Sequence, residues 1–70
     1  MKVKIDLHGL KHEQVTDILI DSCSKYETPF IVITGHSSKM KTIVEDVVVK
    51  YFNLNVREMI GNKGCLIIED

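Results

Sequence analysis

Four short segments of the chain have the hydrophobic pattern of β-strands. In residues 3–7, apolar Val3, Ile5 and Leu7 alternate with charged residues, which predicts a half-buried strand that Gly9 ends. Residues 30–33 are continuously apolar, which predicts a central strand covered on both faces. A third strand is expected over residues 54–60 and a fourth over 65–68, joined by a hairpin turn at residues 61–64, Gly-Asn-Lys-Gly.

Two longer segments have apolar residues at helical spacing. The first covers residues 11–25 and ends before Thr28 and Pro29, because proline disfavours helix at its own position and at the preceding one. The second covers residues 39–52, where the helical period outweighs the strand propensity of the valines at 47–49, and Asn53 is expected to cap its end. The predicted apolar faces consist of Val15, Ile18, Leu19, Ser22, Cys23 and Tyr26 in the first helix, and Met40, Ile43, Val44, Val47, Val48 and Tyr51 in the second.

The predicted order of elements is βαβαββ, in a single domain covering residues 1–70. Two successive βαβ units predict parallel pairing with right-handed crossovers, so both helices lie on one face of the sheet. The closing hairpin adds an antiparallel strand. The expected fold is therefore an α/β two-layer sandwich with a four-stranded mixed sheet, in which Lys2, Lys4, Asp6 and His8 lie on or at the edge of the face without helices.

Length and charge exclude several classes of protein. Seventy residues are too few for a multidomain enzyme or a large cofactor domain. The formal net charge of −1 is not that of a strongly basic nucleic-acid binder, so any nucleic acid must be bound through a local patch. Cys23 and Cys65 fit neither a disulfide framework nor a zinc site and are expected to be reduced and buried. With no signal peptide or membrane-length apolar run in the sequence, a soluble, cytoplasmic chain is expected.

Two polar loops are expected to meet where the first two strands end. Residues 6–9 follow the first strand and residues 34–38 the second, and ligands of open α/β sheets gather at the carboxyl ends of parallel strands. Each loop leads into a helix, whose N-terminus presents unpaired N–H groups to an anion. The predicted phosphate-binding residues of this anion site are Gly9, Thr34, Gly35, Ser37, Ser38, Lys39, Lys41 and Lys63.

Asp6, His8 and His36 are the candidate catalytic residues of this site. Asp6 and His8 are two positions apart on a strand, so their side chains are expected on the same side, and His36 comes from the second loop. A carboxylate that orients an imidazole beside a bound phosphate supplies the acid–base groups for cleaving a phosphodiester. Alternatively, Asp6 and His8 hold a divalent cation such as Mg²⁺ or Mn²⁺ that activates water. The sequence leaves both mechanisms open.

Several of these residues also have an ordinary structural role that competes with the catalytic one. Asp6 can satisfy backbone amides of its own loop, and Ser37 or Ser38 can be the N-cap of the second helix. Gly9 suits a tight turn between a strand and a helix, because it accepts a positive φ. His12, at the start of the first helix, is expected to be solvated.

The combination of motifs resembles the Smr (small MutS-related) domain. That family is marked by a Leu-Asp-Leu-His-Gly stretch near its start, and residues 5–9 read Ile-Asp-Leu-His-Gly. A His-Gly-x-Gly or Thr-Gly-x-Gly stretch follows its second strand, and residues 34–37 read Thr-Gly-His-Ser. The resemblance extends over residues 4–69. It departs at Ser37, where a second glycine is usual, and at His36, where lysine or arginine is common.

The resemblance implies both a fold and an activity. The fold is a βαβαββ sandwich akin to the C-terminal domain of a bacterial translation initiation factor. The activity is that of a nicking or structure-selective DNA endonuclease, or of an RNA endonuclease, with functional positions at Asp6, His8, Gly9, Thr34 and Gly35. Family members occur attached to MutS-like ATPases and as stand-alone proteins, which implies a stand-alone member here and a MutS-like or other repair partner.

Three functions follow as hypotheses. The favoured one is a small nucleic-acid endonuclease. The second is a nucleic-acid-binding module without catalysis, in which Lys39, Lys41 and Lys63 supply most of the affinity. The third is a protein-interaction adaptor, suggested by the near-neutral charge and the sheet face that carries no helices.

Overall fold

The elements follow one another in the predicted order, βαβαββ, in a computed structural model that describes residues 3–70. Four strands form one mixed sheet with both helices packed on the same face, so the predicted α/β two-layer fold is confirmed. Lys2, predicted to lie near the other face, is outside the described residues. Within residues 3–70 no helix has the length and apolar content needed to cross a membrane. The elements are β1 (Lys4–Asp6), α1 (His12–Lys25), β2 (Phe30–Ile33), α2 (Ser38–Phe52), β3 (Asn55–Met59) and β4 (Asn62–Glu69).

The strands are ordered β1-β2-β4-β3 across the sheet. β1 pairs with β2 in parallel, with Lys4 opposite Ile31 and Asp6 opposite Ile33. β2 and β3 run in the same direction but do not pair, because β4 is inserted between them and is antiparallel to both. This corrects the expectation of parallel pairing in both βαβ units. Burial explains the order: residues 64–68 of β4 are buried, whereas no residue of β3 is, so β3 suits the edge.

The sheet face beneath the helices forms the main core. Phe30 of β2 and Ile68 of β4 are fully buried against the helices. Asn53 ends α2 in the left-handed conformation, with φ 54° and ψ 37°, and its N–H donates to the carbonyl oxygens of Val48 and Val49, so its predicted capping role is confirmed. The helices contribute Val15 and Leu19 of α1, and Met40, Val44, Val47 and Val48 of α2.

Two tyrosines predicted for the apolar helix faces lie outside this core. Tyr26 follows the last residue of α1 and is exposed, with its ring tilted against that of Phe30 and 6.5 Å between the centroids. Tyr51, in the last turn of α2, is 69% exposed and borders a groove between the helices, beside Thr16 and Lys50. The prediction is wrong for both residues. Helical spacing predicts the direction of a side chain, but it does not predict whether another element extends far enough to cover it.

The face without helices carries a smaller apolar cluster. Ile31 and Ile67 lie at its centre with Cys65, and Met59 packs against them. Both thiols are unpaired; Cys65 is buried in this cluster as predicted, whereas Cys23, on the helix side, is only half-buried. Lys4 and Asp6 share this face, because their partners across the strand pair are Ile31 and Ile33.

The β3–β4 hairpin is tighter than predicted. The turn consists of Ile60 and Gly61, the latter with φ +80°, and β4 begins at Asn62 instead of residue 65. Met59 faces Asn62 while the preceding Glu58 faces Leu66, so residues 63–65 bulge out of the pairing with β3. The prediction placed the turn at residues 61–64 because both glycines there signal a turn, but the second one lies within this bulge.

Candidate functional site

The two predicted loops meet because β1 and β2 are neighbouring parallel strands. Leu7, which is fully buried, donates its backbone N–H to the carbonyl oxygen of Ile33 at 2.8 Å, continuing the pairing one residue past β1. The chain then turns through His8 and Gly9 while the second loop leaves β2 at Thr34. Both loops therefore begin from the same edge of the sheet, as the topology predicts.

The contact between His8 and Gly35 joins the two loops. Gly35 has a φ of +68°, and a Cβ placed on it would lie 2.9 Å from Cδ2 of the His8 ring. The imidazole thus occupies the space that any side chain at this position would need. His8 remains exposed on its other side. A side chain at residue 35 would be strained by the positive φ and would displace the imidazole from its place.

Asp6 supports the turn that carries His8. Its Oδ1 accepts a hydrogen bond from the backbone N–H of His8 at 2.9 Å, and the N–H of Leu10 donates to the carbonyl oxygen of Leu7 at 3.1 Å. Gly9 has a φ of +84°, which confirms its role in the tight turn. One oxygen of the Asp6 carboxylate is therefore engaged by the backbone, and the role of Asp6 as a base or metal ligand stays a prediction.

Thr34 ties the second loop to β4. The backbone N–H groups of Thr34 and Gly35 both donate to the carbonyl oxygen of Gly64, at 2.8 and 3.1 Å. The Thr34 hydroxyl lies 3.0 Å from the carbonyl oxygen of Gly35 and 3.3 Å from that of Gly64, which it can donate to. Thr34 is only 2% exposed, so it fixes the loop and does not present its hydroxyl to a ligand.

Ser37 is the N-cap of α2. Its Oγ accepts a hydrogen bond from the N–H of Met40 at 3.1 Å, and its φ of −76° is accessible to any residue. Serine in place of the glycine usual in the Smr motif is therefore compatible with this loop. Ser38 is the first residue of α2 and is exposed, as is His36 immediately before the cap.

The three predicted lysines differ in their surroundings. Lys39 in the first turn of α2 and Lys63 in the bulge of β4 are exposed. The Nζ of Lys41 lies 3.5 Å from Oε1 of Glu58 on β3, and the Lys41 side chain is largely covered. Lys39 and Lys63 are thus accessible to an anion, whereas Lys41 already has a carboxylate partner.

Within residues 3–70 no group of three or more histidine, cysteine, aspartate or glutamate residues is arranged to hold a metal ion. Asp6 contributes one carboxylate, and one of its oxygens accepts a backbone hydrogen bond. A cation held by Asp6 and His8 alone stays a prediction.

A groove of about 470 Å³ lies at the other end of the sheet, away from all the predicted site residues. It is bordered by Cys23 and Tyr26 near the end of α1 and by Phe52 and Leu54 near the end of α2. Burial raises the pKa of the Cys23 thiol, which keeps it protonated and weakly nucleophilic. This groove and the candidate site are therefore separate features of the fold.

Sequence reasoning missed three residues close to the site. Asn62 accepts a hydrogen bond on Oδ1 from the N–H of Gly64 at 3.2 Å and stabilises the bulge. An asparagine two positions before a glycine is a signal for such a turn. The pairing of Glu58 with Lys41 and the exposure of Ile60 have no local signal, because both depend on how β3 and β4 pair.

Comparison with known proteins adds no family assignment. No protein-family model, no curated protein and no solved structure matches this chain.

Proposed function

We propose that this chain binds the phosphodiester backbone of nucleic acid and cleaves it, as a small endonuclease. The observation that carries the proposal is the contact of the His8 imidazole with the bare backbone of Gly35. The imidazole, which can accept and donate a proton, thus lies beside a loop where no side chain at residue 35 blocks the approach of a ligand. The resemblance of residues 5–10 and 31–35 to the Smr motifs supports the same function.

Local positive charge favours an anionic ligand at this edge. The N-terminus of α2 lies directly after the loop that carries Gly35, and Lys39 is exposed in its first turn. Lys63 comes from the bulge of β4, whose Gly64 is hydrogen-bonded to the same loop. Because the net charge of the chain is −1, this attraction is confined to the loop edge, the edge of the sheet where residues 6–9 and 34–38 meet.

In the proposed reaction an oxygen nucleophile attacks phosphorus as the bond to the leaving oxygen breaks. The nucleophile is water, or the 2′-hydroxyl when the ligand is RNA. His8 accepts the proton of the attacking oxygen and His36 donates a proton to the leaving oxygen, so protons and charge balance. Asp6 is a positioning residue in this scheme, because its carboxylate holds the turn that carries His8.

The test is cleavage of end-labelled DNA and RNA, each as single strands, duplexes and branched structures, with EDTA or with added Mg²⁺ or Mn²⁺. His8→Ala and His36→Ala are each expected to slow cleavage about a hundredfold or more, the usual size of a general acid or base contribution. His12→Ala is the matched control, because His12 is an exposed histidine at the start of α1. Cleavage that survives His8→Ala, or that His12→Ala reduces equally, contradicts the proposal.

A second candidate function is binding without cleavage. It is favoured by the Asp6 carboxylate, which already accepts a backbone hydrogen bond, and by Ser37, whose hydroxyl is used as a helix cap. In this case the wild-type chain binds oligonucleotides in a salt-sensitive manner and leaves them intact under every metal condition. Lys39→Ala and Lys63→Ala then weaken binding while His8→Ala leaves it nearly unchanged.

Two finer expectations belong to this proposal. Cytoplasmic localisation follows from a role on cellular nucleic acid, and a MutS-like or other repair partner follows from the resemblance. A pull-down repeated after nuclease treatment tests the partner, because a protein held only through nucleic acid is lost in that step.

A further inference from the structure

The tip of the β3–β4 hairpin exposes a large aliphatic side chain. Ile60 is 93% exposed, more than any of the other exposed large hydrophobic residues described: Ile20 at 37%, Tyr26 at 36%, Val49 at 48% and Tyr51 at 69%. Turn positions usually carry glycine, proline, asparagine, aspartate or serine, each for a conformational reason. An isoleucine there contributes nothing to the core of this chain.

The hairpin holds this tip firmly at its base. Met59 and Asn62 face each other directly on either side of the turn, and Met59 packs against the cluster on the helix-free face. Asn62 also accepts the hydrogen bond from Gly64 at 3.2 Å that shapes the bulge. The position of Ile60 relative to the sheet is therefore defined by contacts on both strands.

The same hairpin is tied to the candidate site. The carbonyl oxygen of Gly64 accepts hydrogen bonds from both Thr34 and Gly35, and a Cβ on Gly64 would lie 3.4 Å from Cα of Gly35. Ile60 is four residues from Gly64 along the chain. A chain of that length spans at most about 14 Å, so the tip lies no further than that from Gly64. Along one nucleic-acid strand this distance corresponds to about four nucleotides.

The chemistry of the tip matches bases flanked by phosphates. Lys63, exposed in the bulge, adds an ammonium group to the same hairpin as the Ile60 side chain. Isoleucine is among the residues that proteins insert between base steps, and lysine pairs with the phosphates beside them. Insertion costs least where the step is already unpaired or unstacked.

We infer that Ile60 is a wedge that inserts into an open base step of the bound nucleic acid. The preferred ligand is then a duplex with a mismatch or unpaired base within about four nucleotides of the phosphate bound at the loop edge. This inference rests on the proposed function, because it requires that nucleic acid be bound at the loop edge.

The test compares binding of two duplexes that differ only in a central two-base mismatch, prepared in DNA and in RNA, by fluorescence anisotropy of the full chain. The wild-type chain is expected to prefer the mismatched duplex, and Ile60→Ala to lower that preference about tenfold by removing apolar contact. Ile60→Met restores most of it. Ile20→Ala, at an exposed isoleucine of α1, keeps the wild-type preference. Lys63→Ala weakens binding to both duplexes alike.

Three outcomes overturn the inference or its basis, and they are distinguishable. If wild-type and Ile60→Ala chains discriminate the two duplexes equally, the wedge is wrong while binding at the loop edge stands. If Ile60→Ala instead changes the association state of the chain in light scattering, without changing duplex preference, the tip is a protein contact. If the wild-type chain binds neither duplex in DNA or RNA, the proposed function fails with it. Thermal unfolding of Ile60→Ala is expected to match wild type, because the side chain contacts solvent.

Discussion

At the scale of single residues, Gly35 is favoured over other residues both by its positive φ and by the His8 ring beside it. Its φ of +68° disfavours any residue with a Cβ, and the ring of His8 lies where that Cβ would be. Gly61 has a similar φ of +80° but open space around it. The pair therefore separates the effect of backbone strain from the effect of displacing the imidazole.

We expect Gly35→Ala and Gly61→Ala to lower the free energy of unfolding by a similar amount, about 1–2 kcal/mol, measured by urea denaturation. The exposed His8 ring can swing away from the new methyl group, so Gly35→Ala adds little further instability. It is nevertheless expected to lose cleavage as fully as His8→Ala does.

A double-mutant cycle of His8 and Gly35 checks this interpretation. If Gly35→Ala acts by displacing the imidazole, the double variant His8→Ala with Gly35→Ala is no less functional than His8→Ala alone. Additive losses would mean that Gly35 contributes to the ligand site independently of His8.

At the scale of elements, the hydrophobic pattern is sufficient for the helices and for β2. Phe30–Ile33 is given by its continuous apolar run and Ser38–Phe52 by its helical period, and both lie within one residue of the predicted bounds. The predicted meeting of two loops is also correct, since it needs only that β1 and β2 be parallel neighbours.

The hairpin shows what periodicity does not supply. The insertion of β4 between β2 and β3 depends on relative burial across the whole sheet, and the bulge at residues 63–65 depends on the bond between Asn62 and Gly64. The strand order has no local pattern, whereas the bulge has a short one, the asparagine two positions before a glycine. The position of Glu58 beside Lys41 follows from the pairing of β3 with β4. The sequence predicts Lys41 as a phosphate ligand and does not show the carboxylate beside it.

This ion pair leads to a prediction about the strength of anion binding. Glu58→Gln removes the carboxylate 3.5 Å from the Lys41 ammonium and is expected to tighten oligonucleotide binding about two- to fivefold, the range of an exposed ion pair. Glu69→Gln is the matched control, because it removes the same charge from a different ion pair. Oε1 of Glu69 on β4 lies 2.7 Å from Nε of Arg57 on the neighbouring strand β3.

Binding is measured by anisotropy at low salt, with thermal unfolding as a check on folding. Equal tightening by Glu58→Gln and Glu69→Gln would indicate an effect of net charge alone, which contradicts a specific role for Lys41. No change with Glu58→Gln would mean that Lys41 stays away from the ligand even when it is free.

At the scale of the whole molecule, a net charge of −1 limits how nucleic acid can be held. Long-range attraction is weak, so affinity depends on the few cations at the loop edge, of which Lys39 and Lys63 are exposed and Lys41 is paired. Two or three phosphate contacts predict a slope of about −2 to −3 in a plot of log affinity against log salt for duplex DNA. An extended basic surface would give a far steeper dependence.

Single lysine variants locate the charges that produce this slope. Lys39→Ala and Lys63→Ala are each expected to make it shallower by about 0.9, the contribution of one phosphate contact. Lys50→Ala is expected to leave it unchanged, because Lys50 lies about 16 Å further along α2 from Lys39 and is within 4.0 Å of Asp46. A slope that stays the same in both Lys39→Ala and Lys63→Ala would require phosphate contacts elsewhere on the chain, and the loop edge would then not be the binding surface.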